Sequence, residues 1–192
     1  MDKRNERSIR LIRDSILELL DEKPYAKITV ADIAERANIA RQTFYNYYQT
    51  KDELMLSFMD DVFEDFFDAI EGKLDSVEES YDMVNRELYS HWYKNSDILL
   101  KVINANIDNL VFERFRRYIT RILGNMLRRN DLRVTNPDII GYTVDYIAGA
   151  SFHVILRWMK EGTPYDPEFM GRFQSLLMQN NTLGMLELKE LM

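Results

Sequence analysis

The 192-residue chain contains no cysteine, which removes disulfides, thiolate metal sites, cysteine nucleophiles and thiol redox sensing from consideration. That absence fits an intracellular protein, and the expected compartment is the cytoplasm. Histidine is nearly as scarce. Only His91 and His153 are present. Glu87 and His91 are four residues apart and could share a metal, but there is no HExxH, no Glu-x-x-His repeat, no phosphate-binding loop, no dinucleotide fingerprint and no nucleophile elbow. The expectation is a protein with no metal and no cofactor that is not an enzyme. The charged N-terminus MDKRNERSIR does not resemble a signal peptide. No run of about 18 apolar residues is found, so no membrane span is expected.

Proline and glycine are sparse, at four and seven residues, and no stretch alternates apolar and polar residues for long. Both facts point to an all-α fold of about nine long helices without strands. The expected organisation is a three-helix N-terminal part over residues 1–50, a linking helix over 51–71, and a larger helical part over 72–192. The net charge is −7, unfavourable for meeting phosphate. Its distribution is uneven. Residues 1–51 carry ten Lys/Arg against eight Asp/Glu, and the remainder fifteen against twenty-four. The near-neutral N-terminal part would face a polyanion and the acidic part would be kept away.

The organising stretch is ITVADIAERANIARQTFYNYYQTKDEL, residues 28–54. Ahead of it, Ile9, Ile12, Ile16, Leu19 and Leu20 make one apolar stripe of a helix over 6–22 that Pro24 stops. Lys3, Arg4 and Arg7 at its front read either as a solvated start or as an arm on phosphate. Thr29-x-x-Asp32 reads as a capping box opening a second helix, with Ile28 and Ile33 as its staple. That helix ends near Arg36. Asn38 suits the left-handed turn, and Ile39 should plug the turn into the core against Ile33 and Phe44. A third helix spans about Ala40 to Tyr47, with Phe44 and Tyr48 inward. Arg41, Gln42, Thr43, Tyr45, Asn46 and Tyr47 are left outward, types that pair with base edges and phosphate. Thr50-x-x-Glu53 reads as a second capping box, and Lys51 is placed to meet phosphate. Thr29 completes the expected DNA-facing set.

These residues resemble the DNA-binding domain of the tetracycline-repressor (TetR) family of bacterial regulators. The matching pieces are IRDSILELL and ITVADIAERANIARQTFYNYYQTKDELM, most specifically TFYNYY followed by TKDEL. The resemblance implies that Arg41, Gln42, Thr43, Tyr45, Tyr47 and Lys51 fall where family members contact DNA. Two positions depart from it: Ala40 stands where a capping Ser is common, and Gln42 where Gly is frequent. The stretch GASFHVILRWMKEGTPYDPEFM is similar to the C-terminal domain of a branch that includes activators of dihydroxyacetone kinase genes, some of which act by binding partner proteins.

The rest reads as helices. Leu54, Phe58, Val62, Phe66 and Ile70 stripe the fourth, which Gly72 ends. Ser76-x-x-Glu79 caps one striped by Val77, Tyr81, Val84, Leu88 and Trp92. Ser96 caps a short one to about Asn104. Val111, Phe115, Tyr118, Ile119, Ile122 and Met126 point inward from 108–130, and Arg114, Arg116, Arg117, Arg121, Arg128, Arg129 and Arg133 decorate that segment, most simply as a solvated face. Asn136-Pro137 and Asp166-Pro167 open the last two long helices. By resemblance these two pair with their copies in a dimer. Gly141, Ala148, Gly149, Ala150 and Ser151 permit close approach, while Ile147, Val154, Ile155, Trp158, Phe169, Phe173, Leu176 and Leu177 supply apolar area; intramolecular core is the alternative reading of the same pattern. Tyr81, His91, Trp92, Asn104, Phe112, Tyr118, Tyr146 and His153 are candidate pocket residues, and core packing explains them equally well. The amphipathic tail TLGMLELKELM could dock on a partner or fold back.

The expected function is a ligand-responsive transcriptional regulator. As a homodimer it would repress from a palindromic double-stranded operator and be released by an unknown small-molecule effector, without a membrane. The alternatives are a co-regulator acting through a protein partner and an enzyme on a helical scaffold.

Overall fold

The computed structural model describes residues 3–70, 77–129 and 138–179. Among them are nine α-helices, one 3-10 turn and no strand. In chain order they are α1 (Lys3–Glu22), the 3-10 turn Tyr25–Lys27, α2 (Val30–Arg36), α3 (Arg41–Tyr45), α4 (Lys51–Ile70), α5 (Val77–Lys94), α6 (Ser96–Ile103), α7 (Asp108–Arg129), α8 (Ile139–Lys160) and α9 (Pro167–Gln179). The all-α expectation holds. The proposed Gly72 stop, the Ser76/Glu79 cap, the Asn136-Pro137 opening, Arg133 and the tail lie outside the described residues, as do the side chains of Lys3, Arg4, Tyr81 and Arg129.

The described residues form two compact units. One comprises those of Met1–Asp60 with Asp97–Asp108, the other those of Asp61–Ser96 with Asn109–Met192. The division falls inside α4, and α6 belongs to the first unit although the sequence places it among the later helices.

In the first unit Ile12, Ile16 and Leu19 of α1 are buried with Ile28, Ile33, Ala34 and Phe44. Arg13 ties α1 to α4, donating to Ser57 Oγ at 3.3 Å with its guanidinium 4.1 Å from the Phe58 ring centre. Lys101 of α6 reaches back to the Asp21 carboxylate and the Leu17 carbonyl of α1.

The second unit is aromatic at its centre. Phe63 stacks on Tyr118 at 3.7 Å and meets Trp92 and Phe115 edge-on. Two arginines of α7 are paired with acids: Arg121 with Glu64 at 2.7 Å, where it also covers Phe67, and Arg116 with Asp145.

In this unit α5 packs closely against α9. A Cβ on Gly171 would stand 2.6 Å from the Arg86 Cα, so only glycine fits. Beside this crossing lies a buried polar chain. Tyr89 donates to Gln174 Oε1 at 2.8 Å, Gln174 donates to Ser151 Oγ, and Asn85 donates to Ser175 Oγ at 3.2 Å. Their hydrogen-bonding groups find partners away from water, which fixes the register of α5, α8 and α9. Arg86 adds an outer clasp to Glu168 at 2.7 Å.

Asp166 accepts from the Phe169 N–H at 2.8 Å and opens α9 as read from the sequence. At the end of α8, Gly162 has φ +78°. It allows Thr163 N–H to reach back to the Trp158 carbonyl at 2.9 Å and Gly162 N–H to the Met159 carbonyl at 3.1 Å.

Helix α8 is long and apolar enough, by length and composition alone, to cross a membrane. Asp145, Ser151 and His153 break a strict apolar run, but the weakly polar Gly, Ala, Thr and Tyr around them keep the average apolar. Val144, Ala148, Phe152, Ile155 and Met159 on its inner side are buried in the second unit.

Gly171→Ala should destabilise the protein by about 1–3 kcal/mol in urea unfolding, because the added methyl meets backbone that cannot swing aside. Gly124→Ala should do the reverse by about 0.5–1 kcal/mol. Its added methyl would find only the flexible end of Arg128, at 3.6 Å, and alanine favours the helix.

Candidate nucleic-acid interface

The interface is assembled from short pieces, each held by a specific local bond. Tyr25–Lys27 forms a single 3-10 turn after Pro24. Thr29 then caps α2. Asp32 N–H donates to Thr29 Oγ1 at 3.2 Å, and Thr29 N–H donates to the Asp32 carboxylate at 2.7 Å. This is the reciprocal capping box read from the sequence. The bonds from Thr29, with Lys23 at 3.0 Å, hold the Asp32 carboxyl down at about 2. Thr29, counted among the DNA-facing residues, therefore has its hydroxyl committed to the cap.

α2 ends as the pattern requires. Asn38 has φ +53°. Its N–H donates to the Glu35 carbonyl and the Ile39 N–H to the Ala34 carbonyl, both at 3.0 Å, the paired bonds of a left-handed helix stop. Ala37, not Ile39, is fully buried at this turn; Ile39 is half-buried.

The third helix is five residues long, Arg41–Tyr45, and Ala40 gives it no side-chain cap. Phe44 is wholly buried and Tyr48 nearly so, their rings 5.9 Å apart. With these two inward, Arg41, Gln42, Tyr45 and Asn46 are exposed and Thr43 and Tyr47 half-exposed. Tyr45 stands edge-on to Phe44 at 5.6 Å. Gln42 Nε2 donates to Asn46 Oδ1 at 3.5 Å, and Tyr47 donates to Asn5 Oδ1 at 2.9 Å. The latter bond sets the first turn of α1, with exposed Arg7 and Arg10 further along it, beside this face.

Lys51 is placed differently from the expectation. Its ammonium donates to the carbonyls of Tyr25 at 2.8 Å and Ile28 at 2.9 Å, and stands 4.1 Å from the Tyr25 ring centre. Tyr25 in turn donates to Asp52, and burial together with that carboxylate raises its hydroxyl well above the usual range. The cluster Tyr25–Lys51–Asp52 pins the turn before α2 to the start of α4. A lysine so engaged holds structure rather than offering a free charge. Sequence carried no signal for it, because Tyr25 and Asp52 are 27 residues apart. The second capping box is also altered: Glu53 N–H donates to Thr50 Oγ1, but the Glu53 carboxylate accepts from Gln49 N–H instead of Thr50.

Other cations of the unit are engaged as well. Arg36 grips Glu22 at 2.7 Å and Glu18 at 3.2 Å, which raises its basicity further. Arg41 carries the exposed positive charge of the third helix.

The pocket candidates are not gathered at one site. His91, Trp92 and Tyr118 share the aromatic cluster of the second unit. His91 Nδ1–H donates to the Glu87 carbonyl at 2.8 Å. Trp92 is buried, and its indole N–H has no hydrogen-bond acceptor among the described residues. Phe112 is half-buried against Phe152. Asn104 is exposed at the end of α6, and Tyr146 and His153 are exposed on α8. A partly open cavity of ≈ 40 Å³ in this unit is lined by Leu88, Ile119, Leu123, Ile147, Asn85 and Ser151 among others. Among the described residues no group of acids and histidines could hold a metal.

The dimer candidates divide in two. Ile147 and Trp158 are core residues: Trp158 is 2% exposed, donates to the Tyr165 carbonyl at 2.8 Å and packs on Tyr89. Phe169, Phe173, Leu176 and Leu177 are 41–67% exposed, with Ala150 exposed and Val154 half-exposed. Tyr142 and Tyr146 on α8 lengthen the uncovered apolar surface.

Fold and site together define a helix-turn-helix protein with a separate helical unit. Residues 12–58 match the model for bacterial regulatory proteins of the tetR family, and residues 78–180 match that for a transcriptional regulator C-terminal region. The chain belongs to the tetR family of bacterial transcriptional regulators, which are not enzymes. It is 41% identical over 46 residues to the HTH-type dhaKLM operon transcriptional activator DhaS of Lactococcus lactis subsp. lactis (strain IL1403), covering 24% of this chain and 25% of that protein. It is 25% identical over 103 residues to the uncharacterized HTH-type transcriptional regulator YvdT of Bacillus subtilis (strain 168), covering 52% and 53%. The chain spans about half or less of the length of the curated relatives it matches. A TetR transcriptional regulator from Streptococcus agalactiae 2603V superposes with a TM-score of 0.65 over 92% of this chain and 96% of that one, at 21% identity. At that identity the likeness is one of fold.

Thr29→Ala should cost about 1 kcal/mol and move the Asp32 titration from about 2 toward its ordinary 3.8, read by carboxyl NMR. The sign follows from the depressed value: the cap's stabilisation is full above the ordinary carboxylate range and is lost as pH falls through about 2. Phe44→Ala should cost about 3–5 kcal/mol and unfold the first unit at lower denaturant concentration.

Proposed function

We propose that this protein is a homodimeric, ligand-responsive regulator, most simply a repressor, that reads a palindromic operator in double-stranded DNA through Arg41, Gln42, Thr43, Tyr45, Asn46 and Tyr47. The observation that carries the reading is the outward polar face of α3, fixed by burial of Phe44 and Tyr48. A five-residue helix of this kind fits the major groove, and two copies would meet half-sites about 34–36 Å apart or a multiple of that. Lys51 contributes by holding the turn.

Dimerisation is assigned to Phe169, Phe173, Leu176 and Leu177 of α9 with Ala150 and Val154 of α8. Large exposed apolar side chains gathered on two neighbouring helices are costly in water and mark an interaction face. The effector site is assigned to the second unit around His91, Trp92 and Tyr118. A buried indole N–H without an acceptor costs about 1–3 kcal/mol, which a ligand oxygen or nitrogen would relieve. The ligand acts only through its difference in affinity between DNA-competent and incompetent states. The working compartment is the cytoplasm.

A second reading is favoured by the similarity to an activator and by the same exposed face: a co-regulator that works through a bound protein. The two readings separate on DNA binding by the purified protein alone.

Arg41→Ala with Tyr45→Ala should weaken binding to an operator recovered from genomic fragments by at least tenfold, since the pair supplies the exposed cation and phenol of the face. Thermal unfolding should stay unchanged. Full affinity in that variant would remove α3 from the interface. Phe173→Glu should give a monomer in sedimentation at micromolar concentration, while a persisting dimer would place the interface elsewhere.

A further inference from the structure

Gln42 and Asn46 lie one helical turn apart, both exposed, with Gln42 Nε2 donating to Asn46 Oδ1 at 3.5 Å. Resting on the DNA-reading function above, we propose that Gln42 reads an adenine in each half-site and that Asn46 is the positioning residue that turns its amide for the purpose.

The argument is an inventory of what that one bond leaves. An amide carries two donors and one acceptor. A glutamine on a helix surface is free to turn about its last bond, so it can present either end outward. Giving one N–H to Asn46 biases that rotation toward one orientation. What remains is the Oε1 acceptor beside the second N–H, side by side and directed away from the helix. In the major groove adenine is the base that offers the complement, an N6 amino donor next to the N7 acceptor. Guanine shows two acceptors there and would set its O6 against Gln42 Oε1. Cytosine offers a donor with no neighbouring acceptor, and thymine an acceptor beside a methyl group. Asn46 keeps both of its own N–H groups for phosphate or a neighbouring base edge. Arg41 beside them cannot substitute, because a guanidinium has no acceptor and matches guanine instead.

The test uses the full chain and a library of duplexes with a randomised core, selected for binding and sequenced. The wild type should prefer A·T at one base pair in each half-site by roughly 5- to 100-fold. Gln42→Ala should flatten that position and leave the others intact. Gln42→Glu, which has two acceptors and no donor, should move the preference toward cytosine at the same position. Asn46→Ala should reduce the preference there, whereas Asn46→Asp, which keeps the accepting oxygen, should retain it while lowering affinity for all sequences alike. Both side chains are exposed, so unchanged melting temperatures are expected throughout. Unaltered preferences at every position in Gln42→Ala would overturn the proposal. Equal flattening by Asn46→Ala and Asn46→Asp would overturn the positioning role. A wild type without any sequence preference would overturn the DNA-reading function itself, an outcome distinct from either.

Discussion

A five-residue helix with no side-chain cap does not persist in water, because one or two turns of hydrogen bonds do not offset the cost of nucleation. The existence of α3 therefore depends on the burial of Phe44, with Tyr48 one turn on and Thr29, Asn38 and Thr50 fixing the chain on either side. The exposed face is a consequence of that burial. Once residues 44 and 48 are inward, 42, 45 and 46 lie on the remaining sides, and Arg41 is exposed at the start of the helix. Interface and fold are not separable here: a change at Phe44 removes the face by removing the helix.

The same logic explains the cluster of Tyr25, Lys51 and Asp52. The helix-turn-helix needs its entry turn held against the start of α4, and the chain does this with a lysine whose ammonium serves two backbone carbonyls and lies against a ring. With Lys51 and Arg36 both engaged inside the unit, its exposed positive charge rests on Arg7, Arg10, Lys27 and Arg41.

In the second unit the constraint is the α5–α9 crossing. Gly171 lets the two backbones touch, and the pairs Tyr89–Gln174–Ser151 and Asn85–Ser175 allow only one register. Apolar residues of α8 and α9 consequently separate into two populations. Ile147 and Trp158 close the core, whereas Phe169, Phe173, Leu176 and Leu177 remain largely exposed. The Trp92 indole, without an acceptor among the described residues, and the small cavity beside Leu88 and Ile119 show that this core is less completely satisfied than its polar chain.

Local chemistry was legible in the sequence. The Thr29–Asp32 box, the Asn38 stop, the Asp166 cap and the apolar stripes depend on residues within four or five positions of each other, and the helices follow from them. Which side of α3 faces out was legible too, since Phe44 and Tyr48 are one turn apart. The long-range pairings were not. Nothing in the order of residues ties Tyr25 to Asp52, places Lys51 on two carbonyls, or sets Gly171 against Arg86, because each depends on how separate helices come together. For the same reason Ile147 and Phe173 read alike in the sequence, and only packing decided that one is core and the other surface: hydrophobicity says that a side chain needs cover, and the tertiary structure determines what provides it.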